Sequence, residues 1–402
     1  MKKVPLMISA AMAATLLTVT PALADGYKMP PSEIADIVLR APAPSVSVSP
    51  DGETLLLLER ESLPPISELA KPMERLAGQR LDAATNDNFN PRNFVGLSLQ
   101  DMETGEIRKV SLPNDADIAD QNWSPDGRYV AFTNTTADGM SLWTLDTRTA
   151  RARKIMDEGL NPIFEEPRWL PDGRLLVMTI PDARGPKPKP SLTPDGPAIQ
   201  DAAGGQDAQT RTFQDLLKTP YDESLYEWLV VSQPVVMRAD GRRKQKIGEP
   251  RIYIDASASP DGDYLLMEWI EEPFSYQVPW YRFPMTTAVW TLSGDHVTTI
   301  VEQPLADSLP VQGVVTGPRN IGWHPTADAT LMWSEALDGG DPRVETDGRD
   351  ALMTLSAPFT DEASRLHVFE DRYSGFTGLQ GDDDIIAYDY DRNTRELRTA
   401  LI

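Results

Sequence analysis

Cysteine is absent from the 402 residues, so the chain has no disulfide and no cysteine to carry a lipid anchor. Histidine is nearly absent: His296, His324 and His367 are the only three, and no His-Glu-x-x-His occurs. The common zinc patterns are thereby excluded. Basic residues are scarce, 38 against 61 acidic ones, for a net charge of −23 that becomes −25 without Lys2 and Lys3. That balance argues against nucleic acid and anionic membrane partners, which select basic patches. Long apolar runs are missing beyond the first residues. Residues 1–24 read as a secretory signal: Lys2 and Lys3, a small apolar stretch over 6–19, and Ala22-Leu23-Ala24 before Asp25. The stretch is broken by Ser9 and Thr15 and is too short for a membrane span. The expectation is an exported protein, periplasmic or secreted, with no membrane span once the signal is removed.

What the chain has instead is a turn that recurs. It reads Ser49-Pro50-Asp51-Gly52, Ser124-Pro125-Asp126-Gly127 after Trp123, Leu170-Pro171-Asp172-Gly173 after Trp169, and Ser259-Pro260-Asp261-Gly262. Degenerate copies follow at Trp323-His324-Pro325-Thr326-Ala327 and Leu379-Gln380-Gly381-Asp382-Asp383. Proline sets φ at the first corner, aspartate caps the turn with its side chain, and glycine takes the positive φ. An apolar strand follows each copy, at 54–58, 129–133, 175–180, 264–270, 330–334 and 385–390. Third strands are expected at 93–100, 141–147, 232–239, 287–293 and 351–356, and fourth strands at 107–112, 152–156, 244–247, 297–302 and 365–370. With 35 prolines against 26 glycines, this is a turn-rich all-β chain. It reads as a β-propeller of four-stranded antiparallel blades over 43–402, about five and a half of them, after a lead-in at 25–42 with a short helix at 32–39 capped by Ser32.

The turn aspartates Asp51, Asp126, Asp172 and Asp261 stand 75, 46 and 89 residues apart, where a bare blade needs about 40–45. The excess falls between second and third strands, at 62–92, 181–231, 271–286 and 337–349. Loops in that position emerge on one face, where function gathers. The largest insertion reads as a loop folded over that face, helical over 212–218. The sixth unit offers strands at 375–380, 385–390 and 395–402 and no fourth, which points to a chain cut within a blade.

Four stretches resemble glutamyl endopeptidase-like enzymes of the prolyl oligopeptidase group of serine peptidases. They are Lys71-Pro72-Met73-Glu74-Arg75-Leu76-Ala77-Gly78-Gln79-Arg80; Gly196-Pro197-Ala198-Ile199-Gln200 with Arg211-Thr212-Phe213-Gln214-Asp215-Leu216-Leu217-Lys218; Pro273-Phe274-Ser275-Tyr276-Gln277-Val278-Pro279 with Tyr281-Arg282-Phe283-Pro284; and Ser334-Glu335-Ala336-Leu337-Asp338-Gly339-Gly340-Asp341-Pro342. The resemblance implies a propeller, seven-bladed in the full-length family, that screens peptide substrates for a C-terminal α/β-hydrolase domain with a Ser-Asp-His triad. It also implies a preference for cutting after glutamate. The chain ends before such a domain would start.

Catalytic chemistry is not legible within residues 1–402. A nucleophile elbow needs Gly-x-Ser-x-Gly, and no serine has glycine on both sides; Ser98 has Gly96 but Gln100. No Ser-x-x-Lys occurs, and the three histidines read as structural or surface residues. Asp389, Asp391 and Asn393 imitate the start of a calcium loop, but Thr394 and Ala400 occupy its required glycine and glutamate. No catalytic residue, metal or cofactor is expected. A pocket for an acidic side chain needs a cation, and Arg75, Arg80 and Arg282 are the candidates, each also readable as an ordinary salt bridge. The expectation is therefore a substrate-gating propeller of an exported serine peptidase, inactive by itself. The rival is a stand-alone periplasmic propeller that binds a protein or ligand without catalysis.

Overall fold

The computed structural model describes residues 30–90, 93–137, 139–191, 212–379 and 384–402. The signal segment 1–24, the stretch 196–200 with Arg211, and the turn residues 380–383 lie outside them.

The recurring turn is held by more than its aspartate. Ser124 Oγ donates to Asp126 at 2.7 Å and accepts the Tyr129 N–H at 2.8 Å, while Asp126 accepts the Arg128 N–H at 3.1 Å. Ser49 and Ser259 repeat the pattern, and all three serines are buried. Gly52, Gly127, Gly173 and Gly262 take φ between +65° and +78°, a region closed to most side chains. In the fifth copy His324 does the serine's work, its Nδ1 accepting the Ala327 N–H at 3.0 Å.

Each turn joins the first and second strands of an antiparallel sheet. The first blade is Ser45–Val48, Thr54–Glu59, Gly96–Asp101 and Ile107–Lys109. The second is Ile118–Trp123, Tyr129–Thr136, Gly139–Asp146 and Arg151–Met156. The third is Arg168–Trp169, Arg174–Thr179, Gln233–Arg238 and Gln245–Lys246. The fourth is Ile252–Ala258, Tyr264–Ile270, Met285–Thr291 and His296–Gln303. The fifth is Arg319–Trp323, Thr330–Ala336, Asp350–Ser356 and Ser364–Phe369. A sixth sheet has three strands among the described residues: Arg372–Gly378, Ile385–Asp391 and Glu396–Leu401. The fold is thus an all-β propeller of four-stranded antiparallel blades.

Blades are cemented in pairs. Leu56 and Leu97 of the first pack with Val130 and Phe132 of the second, and a separate cluster bridges each following pair. Each blade therefore buries its faces against its neighbours, as in other repeat folds. First-strand tryptophans tie the same pairs through their indole N–H groups. Trp123 donates to Ser47 Oγ at 2.9 Å, Trp169 to the Asn122 carbonyl at 2.9 Å, and Trp323 to the Ser257 carbonyl at 3.0 Å.

Two helix expectations are corrected. The lead-in helix runs Ser32–Val38 with Pro31, not Ser32, at the N-cap and no side-chain cap. In the largest insertion, 212–218 has no regular structure, and the helix is Pro220–Val230. Thr219 Oγ1 accepts the Asp222 N–H at 3.2 Å and Asp222 accepts the Thr219 N–H at 3.2 Å. This capping box, with proline as first helical residue, starts the helix there and bars its extension backwards. Among the described residues no helix is long and apolar enough to cross a membrane.

Candidate functional site

Three of the four insertions meet in one core. Leu76 and Leu81 from the first, Tyr226 and Leu229 from the helix of the second, and Val278 and Phe283 from the third bury one another above Ile252 and Ile270 of the fourth blade. Tyr226 is fully buried at its centre, with edge-on contacts to Phe274 at 5.7 Å and Phe283 at 6.4 Å. Backbone bonds stitch the three together: the Gly78 N–H donates to the Asp215 carbonyl and the Trp280 N–H to the Ala77 carbonyl, each at 2.8 Å. Gly78 has φ +87°, and a Cβ there would stand 2.6 Å from Pro279 Cβ, so the closest approach of two insertions requires glycine. The first insertion also carries its own small sheet, Glu74–Leu76, Gln79–Asp82 and Asp87–Asn88. We call this assembly the cap.

The aromatic residues Phe274, Tyr281 and Phe283 of the third insertion are divided by the cap. Phe274 and Phe283 are inside it, stacked at 5.5 Å, whereas Tyr281 is exposed at its rim. Arg75 and Arg80 stand opposite each other on two paired strands and share one acid: Arg80 Nε is 2.9 Å and Arg75 NH1 3.6 Å from the Asp215 carboxylate. Both side chains remain about half exposed (49% and 57%), so they can exchange that partner for another carboxylate. Arg80, Phe213, Asp215 and Tyr281 border a shallow cleft of about 440 Å³. Arg282 differs: its guanidinium lies 5.5 Å from the Phe213 ring and donates to the Ala306 carbonyl at 3.3 Å. The structure brings the three arginines around Phe213 and Asp215, which the sequence did not join to them.

The fourth insertion is organised by charge. Asp338 and Asp350, with fully buried side chains, are bridged by Arg372, whose NH2 lies 2.6 Å from Asp338 and whose NH1 lies 2.9 Å from Asp350. Arg349 completes Asp338 at 2.9 Å, and Arg319 pairs with Asp350.

A further set of acids was invisible in the sequence because it comes from four separate segments. Asp120 sits in the first strand of the second blade, at φ +51°. Glu165 and Glu166 precede the third blade, Asp255 and Glu268 lie in the fourth, and Asp87 comes from the cap. Arg168 Nε is 2.8 Å from Glu165, and its NH2 3.5 Å from Asp255. Burial, then the neighbouring Asp255, pushes Glu165 up to about 9. Burial pushes Asp87 up to about 7 and Asp120 to about 6, aided by Asp120 and Glu166 respectively. Glu268 rises to about 7 through burial and Asp255. Among the described residues no group of three or more such side chains is arranged to hold a metal ion.

The histidines do not converge. His324 caps a turn, His296 is exposed and stands edge-on to Trp290 at 5.5 Å, and His367 lies against Phe369 at 4.7 Å. Asp391 accepts the Asn393 N–H at 2.7 Å and the Thr394 hydroxyl at 2.8 Å, an ordinary hairpin turn between paired strands.

No family model matches the chain. Curated relatives do, among them two named probable chloroplastic glutamyl endopeptidase. The one from Oryza sativa subsp. japonica is 37% identical over 395 residues, covering 94% of this chain and 42% of its own. The one from Arabidopsis thaliana is 36% identical over 400 residues, covering 95% and 41%. The chain thus spans about two-fifths of the length of these relatives. Among solved structures, acylaminoacyl peptidase from Pyrococcus horikoshii aligns over 90% of this chain and 44% of its own, at 12% identity and a TM-score of 0.43. The β-propeller domain of the Trilobed protease from Pyrococcus furiosus aligns over 90% and 82%, at 9% identity and a TM-score of 0.42. On its sequence relatives, the chain is glutamyl endopeptidase-like over nearly its whole length, and it folds as a β-propeller.

Proposed function

We propose that this propeller screens substrates for a serine-peptidase active site carried on an α/β-hydrolase domain of the same protein. It admits short or flexible peptides and holds folded proteins out. The observation that carries this reading is the cap: insertions from three blades share one core on the face they emerge from, so they act as one rigid cover. The relatives' name supports the reaction class. The chain itself carries no nucleophile elbow, so peptide partners would meet their chemistry on the hydrolase domain. We further propose export through residues 1–24; a mature protein whose first residue is not Asp25 speaks against that cleavage.

Arg75, Arg80 and Arg282 are proposed to read an acidic side chain entering beneath the cap. Arg282 is the strongest of the three, since its guanidinium is oriented by Phe213 and by a backbone carbonyl instead of a carboxylate. The experiment is cleavage of peptides with glutamate or glutamine before the scissile bond, by the protein bearing its hydrolase domain. Arg282→Ala should lower the glutamate preference, and an unchanged preference removes Arg282 from the account.

A further inference from the structure

A cleft of about 660 Å³ lies where the second and third blades meet the cap, and nothing in the proposed gating uses it. Its apolar side is formed by Met140, Met156, Leu160 and Val235. Residues 83–86 of the first insertion and Arg184 of the second border it from the cap.

Arg184 is an unusual cation. Its guanidinium carbon lies over the Trp228 ring, 4.0 Å from the centroid, and NH1 donates to Asn86 Oδ1. Trp228 in turn donates its indole N–H to the Gly185 carbonyl at 2.8 Å, so ring and guanidinium fix each other. Lys187 nearby has Glu74 at 3.0 Å, and Arg75 and Arg80 have Asp215. Arg184 makes no ion pair among the described residues, and burial alone holds its pKa below the usual arginine value. A half-buried cation without a counter-charge is costly unless something supplies one. The guanidinium fork has five N–H donors in a plane that matches a carboxylate.

The other wall shows which anion fits. Lys246 lies there, paired at 2.8 Å with Asp182, but both side chains are mostly exposed and the pair is readily exchanged. Asp157 is taken by Lys154 at 2.7 Å, and Glu158 is exposed. Three acids at the rim oppose a dianion more strongly than a monoanion. The volume falls in the range of small-ligand sites, about 300–1,000 Å³.

We propose that this cleft binds a carboxylate-bearing peptide segment, with the carboxylate on Arg184 and an adjacent apolar side chain on Met140 and Leu160. The carboxylate is either an acidic side chain or the free C-terminus of the peptide. Binding here requires no peptidase activity, so the test is separate from that of the gating proposal.

The experiment is calorimetric titration of the chain with three peptides: acetyl-Ala-Ala-Leu with a free carboxylate, the same peptide amidated, and acetyl-Ala-Glu-Leu-amide. One or both carboxylate peptides should bind about tenfold tighter than the neutral amide, the strength of a charge-assisted bond. The acid that binds identifies the source, and inorganic phosphate should compete poorly. Arg184→Met should erase the difference between acid and amide while the melting temperature holds. Equal binding of acid and amide, or a difference that survives Arg184→Met, overturns the proposal. Should that variant fail to fold, hydrogen exchange on the unaltered chain decides. Peptide binding should protect 83–86 and 184–185, and protection confined to other segments overturns the proposal.

Discussion

Replacing Tyr226 by alanine tests whether the cap is one cooperative unit. Tyr226 is fully buried, touches Phe274 and Phe283 edge-on, and its hydroxyl reaches Gln79 at 3.4 Å, so a single side chain joins all three insertions. Large-to-small changes of buried aromatics cost about 3–5 kcal/mol, because the hole left behind collapses only in part. Of the blade strands only those of the fourth reach this core, through Ile252, Ile270 and Met285; the clusters between sheet faces are separate from it. The loss should therefore appear as opening of the cap, and about 4 kcal/mol raises the open population by roughly a thousandfold. Limited proteolysis reads that population when reclosing is fast. Cleavage within 62–90 and 212–231 should accelerate together by up to that factor, while the main melting transition moves little. If only 212–231 becomes labile, or cleavage is unchanged, the insertions do not form one unit and the reasoning fails.

Three other outcomes follow from particular contacts. Arg372→Met leaves the buried carboxylates of Asp338 and Asp350 with one arginine each, and should cost about 3–5 kcal/mol in guanidinium unfolding; a loss under about 1 kcal/mol would mean these acids are solvated in solution. Glu268 is raised to about 7, so ionising it opposes folding: its penalty is absent below its ordinary value near 4.5, grows as pH rises, and is complete above about 7. Glu268→Gln should accordingly match the parent at pH 4 and exceed it by on the order of 2 kcal/mol at pH 8, allowing for partial exposure, and equal melting temperatures at both pH values would contradict this. Ser124→Ala removes the buried hydroxyl that accepts the Tyr129 N–H and should cost about 1–3 kcal/mol by thermal melting, whereas no change would show that water replaces the hydroxyl.

How far these contacts could be read in advance depended on their range. The turn tetrapeptide located every second strand to within a few residues, because proline and glycine constrain the backbone locally. The insertions were legible as excess spacing between Asp51, Asp126, Asp172 and Asp261. The helix of the second insertion starts later than the sequence reading placed it, at Thr219-Pro220-x-Asp222, whose capping chemistry is itself local. Arg75 and Arg80 were found as cations on the cap, but their shared Asp215 lies 135 residues from Arg80, a pairing no local pattern contains. Arg184 and the acids Asp87, Asp120, Glu165 and Glu268 were missed for the same reason. Each is an ordinary polar residue in sequence and becomes unusual only when distant segments remove its water.

The most direct test compares substrates of increasing size. In a longer protein carrying the proposed hydrolase domain, kcat/KM would be measured for a tetrapeptide, a long unfolded peptide and a folded protein containing the same cleavage site, with and without Tyr226→Ala. If the cap gates access, the parent protein rejects the folded substrate, and the variant gains on the larger substrates while the tetrapeptide is cut at an unchanged rate. An identical size profile in both proteins would contradict the account, and the propeller would then have another role.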